Sequence, residues 1–337
     1  MSSALISGRR GLRNSSSRLA FLILVLGFFG LQNSAFLSSA SILAVFQGLV
    51  FVGIAAVFLT ILITSGEFDI SVGANAALSG TIAAYFVVRG DHEPWNGQSS
   101  TYMPEGEHVS PFLGLLIGAL VGAVIGLLNA AVVLLGKVPS FIATIGMLFI
   151  AKSLATYIPG GKPVSGYLDY GRASNPELFN SFFVKNFSII IFLVMLVIGH
   201  VILKRMNFGR VVAAIGSNKE AARTSGVQVT KVKAVLFVAT GAGAGLAGAV
   251  SVFHFGAIYF SLGSGWELTA IAAIVLGGTS LFGGRGTIIG LIYGLFLMQA
   301  IASGMVSVGI DPWWQTVITG AIVLFTLVIE RVREQFK

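Results

Sequence analysis

The sequence predicts an all-α, polytopic membrane protein with about ten transmembrane helices, some of them broken or re-entrant. Three observations predict it. Of 337 residues, 55% are hydrophobic and only 10% charged, with a mean hydropathy of +0.90, a balance that would not keep a domain of this size in water. Apolar runs near the roughly 20 residues needed to cross a hydrocarbon core recur along the whole chain, with no long soluble segment between them. The Lys and Arg excess collects in segments that fall on one side of the resulting topology.

The apolar runs lie at about residues 19–34, 42–64, 70–88, 111–135, 139–157, 186–203, 233–253, 267–282, 286–306 and 313–330. The first follows Arg9, Arg10, Arg13 and Arg18 like the basic start of a signal peptide. No small-residue cleavage site leading into a polar domain follows, so it reads as a retained helix. An even number of spans returns both ends of the chain to one side, and that side should be the basic one. The segment 204–233 holds seven basic residues against Glu220 and counts as inside. The segment 89–110 holds Asp91, Glu93, Glu105 and Glu107 against Arg89 and counts as outside. This divides the chain into a basic cytoplasmic tail (1–18), one transmembrane domain (19–330) with a cytoplasmic loop at 204–233, and a second cytoplasmic tail (331–337). The +8 charge therefore speaks for membrane orientation and not for nucleic acid.

Gly114, Gly118, Gly122 and Gly126 recur every four residues and line one helix face, and Gly241 with Gly245 repeats the pattern, so close helix packing is expected there. An acidic residue opens a small-residue helix both at Asp69 to Gly80 and at Glu267 to Gly278, which suggests a five-plus-five internal repeat.

Two segments are too polar for plain spans. In TSGEFDISVGA, Glu67 and Asp69 lie between two spans with almost no connecting loop. A carboxylate deep in a bilayer costs about 2.5–3.5 kcal/mol on insertion scales, so it persists only against protein or a wet cavity. Two readings fit: Asp69 with Ser71 caps the next helix in a tight turn, or the acid lines a permeation path. In GSGWELTAIAAIVLGGTSLFGGRG, the apolar core between Trp266, Glu267 and Arg285 is short for a full crossing, and its glycines permit a break or re-entrant bend. A third segment, NFGRVVAAIGSNKEAARTSGV, places Asn218 to cap a short helix carrying Glu220, Ala221, Ala222 and Arg223 and ending near Gly226. On the inner face, such a helix is either merely solvated or gripped by a peripheral partner.

The runs GEFDISVGA, NAAVVLLGKVPSFIATIGMLFIAK, NFGRVVAAIGSNKEAARTSGV and ELTAIAAIVLGGTSLFGGRGTIIG together resemble the sugar-importing permeases of bacterial ABC transporters, nearest to the ribose, xylose and autoinducer-2 group. The resemblance spans about Leu19 to Glu330. It implies a multi-pass bacterial inner-membrane subunit, with both termini cytoplasmic, that works beside a second permease copy, as a homodimer or with a paralogue. It further implies two ATP-binding subunits or one tandem ATPase, a periplasmic sugar-binding protein, and ATP with magnesium held by the ATPase and not by this chain. By the same resemblance Gly216, Asn218, Glu220, Ala221, Arg223 and Gly226 form the element that couples to the ATPase. The sequence departs from the family at Lys152, where relatives often carry arginine, and in a longer, more acidic outer segment at 89–110.

Since sugars are neutral and rich in hydroxyls, Ser71, Asn75, Asn129, Thr279 and Trp266, with the acids Asp69 and Glu267, are the candidates for the translocation path. Helix-to-helix hydrogen bonding and interface packing are the competing role for each. No GxxxxGK[ST] phosphate loop occurs, so the chain is expected to be no ATPase and no enzyme. His92, His108, His200 and His254 are scattered without metal-ligand spacing, and there is no cysteine for a disulfide or thiolate site. An ion-gradient carrier using Glu67, Asp69 and Glu267, or an ABC permease for branched-chain amino acids or nucleosides, stands as the alternative.

Overall fold

Each of the ten apolar runs contains a helix because its backbone groups have no water to bond inside a bilayer and must bond to one another. A computed structural model describes residues 18–88, 109–165, 186–259, 261–311 and 313–335. In chain order the helices are α1 (Arg18–Gln32), α2 (Ser39–Thr64), α3 (Val72–Val88), α4 (Pro111–Leu134), α5 (Ser140–Tyr157), α6 (Phe187–Lys204), α7 (Asn207–Ser217), α8 (Lys219–Thr224), α9 (Val229–Phe255), α10 (Trp266–Leu276), α11 (Ile288–Ser307) and α12 (Trp313–Gln335). Six of these, α2, α4, α5, α6, α9 and α11, are long and apolar enough to cross a membrane, while α1, α3 and α10 are apolar but shorter. The protein is an all-α, polytopic membrane protein. Leu113, Leu116, Leu120, Phe141, Phe149, Leu193 and Val197 all face outward, as a hydrocarbon solvent allows and water does not.

α9 is the central post, with α2, α3 and α4 packed around it. Its seam with α4 is built on the glycine repeats: a methyl on Gly122 would stand 2.2 Å from Gly241 O, and one on Gly126 would stand 2.3 Å from Phe237 O. Backbones approach this closely only where no side chain intervenes. α10 and α11 meet in the same way, Gly294 lying against the Ala273 carbonyl.

The structure revises two expected boundaries. The run at 267–282 is helical only through Leu276; its 11 residues make about 16 Å of helix, roughly half a hydrocarbon core. Gly277 and Gly278 then turn the chain, with Gly278 at φ +89°, into an irregular stretch that ends where Thr287 caps α11. The segment 204–233 holds the expected short helix as α8, with α7 before it, and its last five residues already belong to α9, with Lys233 buried. Of the acidic segment 89–110, all but the last two residues lie outside the described ones, as do residues 1–17.

At one end of the bundle Thr64 O accepts from Gly284 N at 2.9 Å, and Gly216 of α7 packs against the same carbonyl. At the other end, two-residue strands β1 (Val164–Ser165) and β2 (Ala257–Ile258) pair antiparallel, Val164 opposite Ile258.

Candidate functional site

The segment between α2 and α3 rises into the bundle. Asn75, in the first turn of α3, donates to Gly122 O and to Gly241 O, both at 3.3 Å, and those glycines lie at the middle of α4 and α9. α3 therefore begins at mid-depth. The chain is pinned on its way there by α5, with Phe68 N donating to Ser140 Oγ at 3.2 Å and Ile70 N to Thr144 Oγ1 at 3.0 Å.

Asp69 is fully buried in this segment. Its Oδ1 accepts from Ser71 N at 2.8 Å and Ser71 Oγ at 2.6 Å, and its Oδ2 accepts from Asn129 Nδ2 at 3.3 Å. The first of these bonds is a turn to the residue two ahead, before the helix starts, so Asp69 is no ordinary solvent-exposed N-cap. Asn129 Nδ2 also donates to Ser71 Oγ at 3.0 Å, while Asn129 Oδ1 has no partner among the described residues. Ser79 Oγ donates to Asn75 Oδ1 at 2.9 Å. Asp69, Ser71 and Asn129 thus form one buried polar patch against α4, and Asn75, one turn on from Ser71, forms a second buried polar contact between α3, α4 and α9.

α10 starts at the same depth. A methyl on Gly73 would stand 2.1 Å from Gly263 O and 2.6 Å from a Glu267 carboxylate oxygen. The segment 261–265 therefore lies at the bundle's middle, and α10 leaves it for the Thr64 end. Leu262 and Gly263 separate two cavities. On one side Lys152, Ser264 and Glu267 line a gap of about 20 Å³, room for about one water.

On the other side lies a cleft of about 720 Å³. Phe51, His254, Phe255, Tyr259 and Trp266 give it aromatic walls, and Gln47 and Ser261 add neutral hydrogen-bonding groups. Among the described residues no charged side chain lines it. His254 is fixed there, with Nδ1 at 3.3 Å from Ser188 Oγ and its ring edge-on to Phe51. Among the described residues no cluster of His, Asp and Glu is arranged for a metal.

Thr279 does not join either group. It is buried in the turn at the Thr64 end, where its Oγ1 accepts from Thr287 N at 3.2 Å. The remaining expected residues lie at that same end. Asn218 caps α8 by accepting from Ala221 N at 3.0 Å; Glu220 and Arg223 pair at 2.8 Å with both side chains more than two-thirds exposed. Ala221 is exposed too, whereas Ala222 packs inward with Ile215 and Val229. Gly226 ends the element at φ +85°. Gly216 touches the Gly283 and Gly284 backbone besides Thr64 O, so α7 bears on two re-entrant segments at once.

Sequence reasoning missed three participants. Lys233, one of the basic residues that the sequence groups with the cytoplasmic loop, is buried and forms an ion pair with the largely buried Glu67. The signal was present: Lys233, Leu236, Phe237 and Thr240 share one helix face, and all four are buried. Gln47 and Tyr259 of the cleft carried no such pattern.

Comparison with known proteins places these features. Residues 41–327 match the family of branched-chain amino acid transport system permease components. A ribose import permease protein of Bacillus subtilis is 32% identical over 93% of this chain and 91% of its own length. An autoinducer 2 import system permease protein of Photorhabdus luminescens is 31% identical over 94% and 90%, and a galactose/methyl galactoside import permease protein of Escherichia coli is 30% identical over 93% and 92%. No solved structure matches.

Proposed function

This chain belongs to the family of branched-chain amino acid transport system permease components, and from that premise we propose that it is the membrane permease subunit of an ATP-driven importer of a neutral monosaccharide. The observation that carries the substrate class is the cleft beside α10. A free amino acid is a zwitterion, and both of its ionic ends need charged or strongly dipolar partners when it leaves water. A sugar presents apolar ring faces and hydroxyls, which suit Trp266, Tyr259 and Phe255 beside Gln47 and Ser261. The similarity to ribose and galactose/methyl galactoside import permeases favours the same class.

In this reading the chain crosses the bacterial inner membrane ten times with both termini in the cytoplasm, so the Thr64 end is cytoplasmic and the β1–β2 end periplasmic. α3 and α10, two short helices starting from one mid-depth contact, are then corresponding parts of the two halves of a five-plus-five repeat. Gly216, Asn218, Glu220, Ala221, Arg223 and Gly226 dock an ATP-hydrolysing subunit, which holds the ATP and magnesium. A second permease copy completes the path, and a periplasmic sugar-binding protein delivers the cargo. Closure of the ATPases pushes α7 and α8 and switches the cleft between outward and inward access. Asp69, Ser71, Asn75 and Asn129 anchor the helices that frame the path; Trp266 and Glu267 stand at its mid-depth end.

The buried Asp69 is what favours the competing reading, a carrier driven by an ion gradient. Uptake into proteoliposomes holding the complete complex separates the two. Accumulation that needs ATP on the ATPase side and survives an uncoupler supports the proposal, and accumulation driven by an ion gradient without ATP overturns it.

A further inference from the structure

We propose that the buried Glu67–Lys233 ion pair is the mechanical link between the α8 docking helix and the mid-membrane polar patch, an inference that rests on the docking role given to α8 above. Lys233 Nζ donates to Glu67 Oε1, with the lysine side chain 6% exposed and the glutamate 15%. The pair joins the segment between α2 and α3 to the start of α9, at the end of α9 nearest α8.

On the lysine side, Lys233 sits in the second turn of α9. Val229, one turn earlier, and the adjacent Val232 pack with Ile215 of α7 and Ala222 of α8. Ala222 is the inward face of a helix whose other face is exposed. A push on α8 therefore reaches the start of α9 through an apolar contact. On the glutamate side, Glu67 lies two residues before Asp69, which holds both Ser71 and Asn129. The bonds from Phe68 N and Ile70 N lead to α5, so among the described residues Glu67 gives this segment its side-chain tie to α9.

A buried ion pair adds little net stability over an apolar pair of the same shape, but buried ionic groups fix register in some proteins, and leaving one charge uncompensated there is strongly unfavourable. That is the property a link needs: one arrangement of the segment for each position of α9. Glu67 and Lys233 are positioning residues and touch no cargo.

The test uses the complete transporter, with ATPase and binding protein, in liposomes. Glu67→Gln, Lys233→Gln and the double variant are compared by ATPase co-purification, hydrolysis rate and sugar moved per ATP. The link predicts that the ATPase still co-purifies and hydrolyses within about twofold, that sugar per ATP falls at least tenfold in each single variant, and that the double is no worse than either. An unchanged ratio, losses that multiply in the double, or release of the ATPase would each overturn it. Where a single variant does not assemble, the charge-swapped protein, Glu67→Lys with Lys233→Glu, decides: recovered assembly and coupling support the link, and their absence overturns it. Glu220→Ala with Arg223→Ala is run in parallel. Normal uptake in that variant defeats the docking role itself, whatever the Glu67 variants do.

Discussion

The backbone of Gly73 lies against the backbone of Gly263, so the first turn of α3 and the segment entering α10 meet at the middle of the bundle. Both residues would strike the other's carbonyl with a single added methyl, at 2.1 Å and 2.0 Å, and neither obstacle is a flexible side chain that could swing away. Gly263 also sits at φ +74°.

Gly73→Ala is accordingly expected to destabilise the subunit by about 1–3 kcal/mol through overpacking. Thermal unfolding in detergent should show a lowered midpoint, and uptake should fall at least tenfold. Gly146→Ala, with nothing within 4 Å of the added methyl among the described residues, is the matched control: it should keep uptake and leave the midpoint equal or slightly raised, since alanine suits a helix interior better than glycine.

In the cleft, Trp266→Ala removes the aromatic wall next to the mid-depth contact. Sugar uptake is expected to drop about tenfold or more, since a stacked aromatic face contributes on the order of 1 kcal/mol beyond its area. Trp266→Phe keeps a ring face and should recover most of the loss. Initial rates across sugar concentrations would check both.

Asp69→Asn preserves an acceptor for Ser71, and the unpartnered Asn129 Oδ1 can turn to accept from the new amide. It should assemble and keep at least half of the uptake. Asp69→Ala strands the Ser71 and Asn129 donors in a buried site, at a cost of about 1–3 kcal/mol. A well-assembled but inactive Asp69→Asn protein would show that the charge itself is used in transport.

The Glu220–Arg223 pair is exposed, and such pairs contribute about 0–1 kcal/mol to folding. Glu220→Ala with Arg223→Ala should leave expression and unfolding temperature within error while abolishing uptake and ATPase stimulation. Asn218→Ala removes a cap bond and should weaken the same element, by about 1 kcal/mol.

Much of this was legible in the chain. The apolar runs located the helices because a bilayer enforces their length, and the spacing of Gly118, Gly122 and Gly126 foretold a backbone contact that α4 and α9 make. The Asn218 cap was equally readable because capping is local. What the sequence hid was depth. Nothing in GEFDISVGA says that Asp69 is level with Asn129, or that Gly263 returns to Gly73, since these meetings depend on chains far apart in sequence. Lys233 was misassigned because a count of charges weighs a buried lysine and a solvated one alike.

The absence of cysteine allows a direct test of orientation, on which the docking role depends. A single Glu220→Cys residue should react with a membrane-impermeant maleimide in inside-out vesicles and stay unlabelled in intact spheroplasts. Labelling in spheroplasts and protection in the inverted vesicles would place α8 on the periplasmic side, where no ATPase can reach it, and would contradict the account.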